Sequence, residues 1–156
     1  MKQPKYRYTT GTNSYVYKFI SVGPKGKIKK IVIYSKTSSK DVYNLAFGDY
    51  VECDDDLDDL SVSNNRDTQK VLATVASTLF YFLRKHPAAW VFAKGSSEAR
   101  TRLYRMGISA NIKKVSVEFT ILGYHETEGW ENFVSGRAYE SFMITKKLKP
   151  VYNEKS

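Results

Sequence analysis

The feature that most limits what this chain can become is one stretch, residues 65–86, whose apolar side chains recur at the helical period of 100° per residue. Val71, Val75, Leu79 and Phe82 fall on a single stripe, and Leu72, Ala76, Leu83 and Phe80 widen it to roughly half of the circumference. Lys70, Ala73, Thr74, Ser77, Thr78, Tyr81, Arg84 and Lys85 occupy the remaining arc. Asn64, Asn65 or Asp67 stands where a short polar side chain can accept from the free amides of the first turn. Pro87 sets the stop, and Arg84, Lys85 and His86 sit where the helix dipole favours positive charge. The pattern predicts a core helix.

Around it the chain reads mostly as strands. From Ser14 the period becomes two, with Tyr15, Tyr17 and Phe19 set against Val16, Lys18 and Ile20. Gly23-Pro24-Lys25-Gly26 is a turn, so residues 15–35 are expected to form a β-hairpin. Residues 42–51 read as a third strand and 57–63 as a short fourth, which puts the acidic residues 52–56 at a hairpin tip. After the core helix, Trp90, Val91, Phe92 and Ala93 suggest a strand buried on both faces. A second helix opens at Gly95-Ser96-Ser97-Glu98 and is expected to run to about Met106 and stop at Gly107. Val115, Val117, Phe119 and Ile121 alternate with Lys114, Ser116, Glu118 and Thr120, which predicts a strand there. A loop at 126–130 and a last strand at 139–145 complete the order β-β-β-β-α-β-α-β-β. Hairpins preceding a helix argue for an α+β fold, a largely antiparallel sheet with two helices packed on one face. The expected division is a flexible lead-in at 1–13, a single domain at 14–147 and a basic tail at 148–156.

Composition narrows the function classes. The 156 residues carry a formal net charge of +9, spread unevenly. Residues 1–50 hold ten Lys/Arg and two acids (+8), 51–67 hold seven acids and Arg66 (−6), and 68–156 hold fourteen basic and seven acidic residues (+7). A basic body with one acidic loop fits a polyanionic or acidic partner. With Cys53 as the single cysteine and only His86 and His125 as histidines, no intrachain disulfide and no Cys/His zinc cluster can form. Neither a signal-peptide core nor a stretch of 18 apolar residues is present, so a cytoplasmic location without membrane contact is expected. The run Asp54-Asp55-Asp56-Leu57-Asp58-Asp59 lacks the glycine and the bidentate glutamate of a calcium loop, so no metal is expected, and Asp58 and Asp59 are the better placed for specific contacts. No cofactor motif occurs: there is neither a phosphate-binding Gly-rich loop of the P-loop type nor G-x-G-x-x-G.

Two constellations could meet an anion. At the second helix, free amides at Gly95, Ser96 and Ser97 would face the positive end of the dipole, with Lys94 and Arg100 adding charge. Arg100 and Tyr104 share one flank, and Glu98, Arg102 and Arg105 the other. The candidate anion or nucleic-acid site is therefore Lys94, Ser96, Ser97, Arg100, Tyr104 and Arg105; the competing assignment is Glu98 paired with Arg102 and Arg105 while the serines merely cap. A secondary basic patch, Lys25, Lys27, Lys29 and Lys30, surrounds the first hairpin turn, and with Tyr15, Tyr17 and Tyr34 it would make a basic–aromatic platform for single strands. Lysines that only guard a sheet edge are the alternative.

The runs Gly23-Pro24-Lys25-Gly26-Lys27-Ile28, Tyr43-Asn44-Leu45-Ala46-Phe47-Gly48-Asp49, Ser63-Asn64-Asn65, Lys70-Val71-Leu72-Ala73-Thr74-Val75-Ala76 and Gly95 to Met106 resemble an uncharacterised family of short bacterial proteins, found mainly in the Bacteroidota and catalogued as a domain of unknown function. The resemblance covers roughly residues 15–146 and implies one domain. Ser97 stands where the family pattern has threonine, and Arg66 where it has glycine.

Three functional classes follow as expectations. The first is a nucleic-acid-binding protein contacting an RNA or DNA backbone, an accessory or toxin-like member of a small operon. The second is an interaction module for an acidic partner protein, with the small-residue arc Ala73, Thr74, Ser77 and Thr78 admitting a partner helix. The third is a metal-independent ribonuclease-like enzyme using Arg100, Tyr104 and Arg105 to stabilise developing charge.

Overall fold

The computed structural model describes residues 4–50 and 63–147. The acidic tip with Asp58 and Asp59, Cys53, the tail at 148–156 and all of the expected fourth strand except Ser63 lie outside the described residues. Eight strands and two helices follow one another as β1 (Thr9–Thr10), β2 (Val16–Gly23), β3 (Gly26–Lys36), β4 (Val42–Asp49), α1 (Thr68–Lys85), β5 (Trp90–Ala93), α2 (Glu98–Glu118), β6 (Phe119–His125), β7 (Gly129–Asn132) and β8 (Ser141–Lys146). They form one sheet in the order β1-β2-β3-β4-β5-β8-β6-β7. Every pairing is antiparallel except β4–β5, which α1 connects as a crossover. The chain is an α+β domain with both helices on one face of the sheet.

The first hairpin closes between Gly23 and Gly26, with Pro24 and Lys25 at its tip. Asn65, 1% exposed, pins that tip from below. Its Oδ1 accepts from the Lys25 amide (2.7 Å), and its Nδ2 donates to the Gly26 carbonyl (2.9 Å) and to Ser21 Oγ (3.1 Å). Next to it Arg66 adopts φ +58°, the left-handed region in which glycine alone is unstrained, and Asn64 Oδ1 accepts its amide. Asp67 occupies the position before α1, yet its carboxylate does not cap the helix. It accepts instead from Tyr6 (2.6 Å) and Ser21 (2.5 Å), and so ties the chain's start to the helix start.

α1 packs as its periodicity requires. Val71, Val75, Leu79 and Phe82 are buried, and the Phe82 ring stacks on Tyr34 at 4.3 Å. The burial reaches further than expected, however, because Ala73, Thr74 and Thr78 are also covered. Thr74 Oγ1 accepts the Tyr6 amide (2.8 Å) and Thr78 Oγ1 meets the Tyr34 hydroxyl (2.9 Å). The arc proposed for a partner helix is therefore filled by this chain's own residues. The same contacts correct the expectation for the lead-in: of residues 1–13, Tyr6 and Tyr8 pack on the core and Thr9–Thr10 pairs with Lys18 and Tyr17.

α2 differs most from expectation. It continues through Gly107 to Glu118, so Val115 and Val117 are helical, and β6 starts only at Phe119. Gly107 is buried within the helix facing α1, where an added Cβ would lie 3.5 Å from Leu72, an ordinary van der Waals distance. Val117, which completes the apparent alternation, is 78% exposed. Trp90 and Phe92 are only partly buried, so β5 is covered on the Val91 and Ala93 side alone. β7 begins at Gly129, so only the end of the stretch expected to be a loop is strand, and 126–128 form the turn before it. Among the described residues no helix is long and apolar enough to cross a membrane.

Candidate functional site

At the start of α2 most polar groups are already engaged. Ser97 is the N-cap, and its Oγ accepts from the Arg100 amide (3.3 Å); Ser96 Oγ accepts from Arg100 Nη1 (3.2 Å). The Gly95 amide, expected to be free, donates to Thr101 Oγ1 (3.1 Å). A side chain at 95 would collide with the Thr101 amide, which is why glycine stands where the chain folds over the helix end. The six residues expected to converge do not line one concavity. Arg100 faces a cleft of about 430 Å³ shared with Lys30, Ser63, Asp67 and Leu103, where its Nη2 is buried without a hydrogen-bond partner among the described residues. Lys94, Ser96 and Arg105 line a separate groove with Arg102 and Glu140, and Ser97 borders both. Tyr104 belongs to neither. It is 9% exposed, packs edge-on against Phe47 and donates to the Leu45 carbonyl (3.3 Å). Burial pushes its hydroxyl up to about 12, which places it in the core rather than in a charge-stabilising set.

The hairpin patch divides as well. In β3 the residues alternate between faces, and the register pairs Lys27 with Val22 and Lys29 with Ile20, whereas Lys30 pairs with Phe19 and points to the helix side. Lys30 is 2% exposed and forms an ion pair with Asp49, whose Oδ2 also accepts from Ser63 Oγ (2.5 Å). Lys25, Lys27 and Lys29 remain exposed. Tyr17 and Tyr34, the expected aromatic partners of these lysines, lie on the covered face at 0% and 2% exposure. Tyr15 stacks on His86 at 5.3 Å.

The register defines a different set of neighbours on the face turned away from the helices. Val16, Lys18, Ile20 and Val22 of β2 lie beside Lys27, Lys29, Ile31 and Ile33 of β3. Ala46 of β4 follows, then Trp90 and Phe92 of β5, Met143 of β8, Leu122 and Tyr124 of β6, and Trp130 of β7. Lys18 lies over the Tyr50 ring at 4.6 Å. Ile20, Val22 and Trp130 are 46%, 54% and 45% exposed. At the β7 edge Trp130 meets Tyr124 (5.2 Å) and Phe92 (6.5 Å) edge-on. One half of this face is thus lysine and aliphatic, with Ile31 and Ile33 buried at 4% and 7% exposure beside Tyr50, and the other is aromatic. Lys18 and Ile20 already alternate with the core tyrosines in the sequence. The aromatic half could not be assembled without knowing that 129–132 is a strand.

The architecture is that of an α+β protein with both helices on one side of its sheet and a second, smaller apolar cluster, Ile31 and Ile33 with Tyr50, on the other. The chain belongs to a family of unknown function, DUF6934, whose model matches residues 2–147. Searches of curated proteins and of solved structures found no match.

Proposed function

We propose that this protein binds nucleic acid, with the lysine-bearing edge of the sheet face turned away from the helices as the contact surface. The observation that carries the reading is that the exposed Lys18 and Lys27 project from a face no described helix covers, on a chain of net charge +9. Lysines held on adjacent strands neutralise neighbouring phosphates and release their counterions. In this reading the protein is a cytoplasmic, bacterial, accessory or toxin-like component whose role is binding rather than catalysis.

Fluorescence anisotropy with a labelled RNA oligonucleotide, titrated at several salt concentrations, tests it. Affinity should fall linearly in log salt, and Lys18→Ala/Lys27→Ala should flatten the slope by about two, one per phosphate contact. Absence of binding at about 50 mM salt, or a slope that the double variant leaves unchanged, refutes the reading.

A further inference from the structure

We propose that the cleft between the N-terminal turns of α1 and α2 binds a small organic acid, an apolar body carrying one carboxylate, and that Arg100 receives the charge. The cleft lies on the helix side of the sheet, so the inference is independent of the nucleic-acid reading. It measures about 430 Å³, within the range of small-molecule sites. Phe47 of β4, Val71 and Leu72 of α1 and Leu103 of α2 give it an apolar wall. Its polar groups are few, and most are engaged within the chain. Lys30 is ion-paired with Asp49, which also accepts from Ser63 Oγ. Ser97 Oγ accepts from the Arg100 amide, Asn64 Oδ1 from the Arg66 amide, and Asp67 Oδ2 from Tyr6 and Ser21.

Arg100 is the exception. Its Nη1 donates to Ser96 Oγ (3.2 Å), which holds the guanidinium in place, while Nη2 is buried with no hydrogen-bond partner among the described residues. A cationic donor shut away from water without an acceptor is costly, and an acceptor brought from outside removes that cost. Among the described residues Arg100 joins no ion pair, so no described carboxylate of the chain plays that part. A carboxylate matches the planar guanidinium in shape and charge. The charges of the walls limit the ligand to one negative charge. Asp49 neutralises Lys30, and Asp67 lines the same cleft as Arg100, so a doubly charged phosphate meets stronger repulsion than a single carboxylate. The body of the ligand is apolar because Phe47, Leu72 and Leu103 offer it no donors.

The test is an NMR titration of the full chain with benzoate, with benzamide as its neutral isostere and phenyl phosphate as its doubly charged counterpart. Benzoate should bind saturably with a Kd of about 1 mM, as a ligand of this size can, and should shift the amides of Thr68, Leu72, Ser97 and Arg100. Benzamide should bind at least about tenfold more weakly, and so should benzoate to Arg100→Gln, in line with the loss of one charged hydrogen bond. Phenyl phosphate should bind more weakly than benzoate. Arg102→Ala, whose side chain lines the neighbouring groove, should bind benzoate as the parent does. The benzamide comparison needs no variant and decides the matter even if Arg100→Gln unfolds. Benzoate that shifts nothing at about 20 mM, benzamide that binds as tightly as benzoate, or equal losses from Arg100→Gln and Arg102→Ala overturn the inference. Tighter binding of phenyl phosphate overturns the assignment of a carboxylate. None of these outcomes touches the salt slope of RNA binding, so the two readings fail separately.

Discussion

The two helices lie side by side on one face of the sheet and are held in opposite ways. α1 buries nine of its 18 residues, among them Val71, Leu72, Val75, Leu79, Phe82 and Leu83. α2 is longer, with 21 residues, yet buries only Thr101, Tyr104, Gly107 and Val115. These four recur at three- and eight-residue steps and so share a face, but its residue types are hydroxyl, phenol, glycine and valine. α1 is held by fully buried hydrophobic area; α2 is held by the half-buried Leu103, Met106, Ile108 and Ile112, a hydrogen bond and its two ends. A helix whose apolar residues are mostly only half-buried is anchored by smaller contributions.

The largest effect expected from this contrast is at Phe82. Its ring is 0% exposed, stacked on Tyr34 and touching Tyr43 and His86, so Phe82→Ala should cost about 3–5 kcal/mol in a denaturant melt. A loss below about 1 kcal/mol would mean that the site collapses without a cavity and that α1 is not the central element.

The same contrast explains how much was legible in advance. α1, the first hairpin, β4 and the α+β class follow from periods of 3.6 and 2 and from Gly-Pro punctuation, because in those elements apolar type and burial coincide. α2 breaks that link. Gly107 looks like a stop but is a contact point with Leu72, and the exposed Val117 imitates a strand beside Val115. The candidate site suffers for the same reason. Which way Lys30, Tyr17 and Tyr104 point depends on register and on helix continuation, neither of which residue type reveals. The cationic candidates Lys27 and Lys29 were visible; the covered position of Lys30 and the strand that carries Trp130 were not.

Alkaline unfolding should distinguish the helices next. Tyr34, whose hydroxyl meets α1 at Thr78, and Tyr104 of α2 both have pKa values raised by burial, to about 12 for Tyr104. The unfolded chain releases these protons near pH 10, while the folded one keeps the Tyr104 proton until about pH 12. Their contribution is thus fully present below pH 10 and is lost as pH rises, by up to about 1.4 kcal/mol per pH unit for each group. Tyr104→Phe should make the decline between about pH 10 and pH 12 shallower by one proton. An unchanged slope would show that Tyr104 ionises in the folded protein, against its placement in the core.

Gly107→Ala reverses the usual sign. The new methyl would sit 3.5 Å from Leu72 Cβ, an ordinary van der Waals distance, so the helix gains propensity without a clash. The variant should be more stable by about 0.5–1 kcal/mol. Destabilisation instead would mean that the α1–α2 approach leaves no room and that close packing, rather than area, holds α2 in place.

The smallest effect lies where the two helices are joined at their C-terminal ends. Arg84 of α1 donates from Nε to Glu118 Oε2 (2.8 Å) and from Nη2 to Glu118 Oε1 (2.7 Å), a two-pronged pair at the last residue of α2. Hydrogen bonding from Arg84 holds the Glu118 carboxyl below its ordinary value, with its burial acting against that shift. A depressed folded-state pKa means that the contribution is present above the unfolded value, near pH 4.3, and is lost as pH falls through the lower, folded one. Arg84 is 56% exposed and Glu118 34%, so water screens the pair and its two-pronged geometry is worth only about 0.5 kcal/mol. Glu118→Gln should therefore cost about 0.5 kcal/mol at pH 7 and progressively less as the carboxyl is protonated at acid pH, with the difference shrinking in about 1 M salt. A larger, salt-insensitive loss would make this clasp a principal anchor of α2, outweighing the half-buried contacts of Leu103, Met106, Ile108 and Ile112.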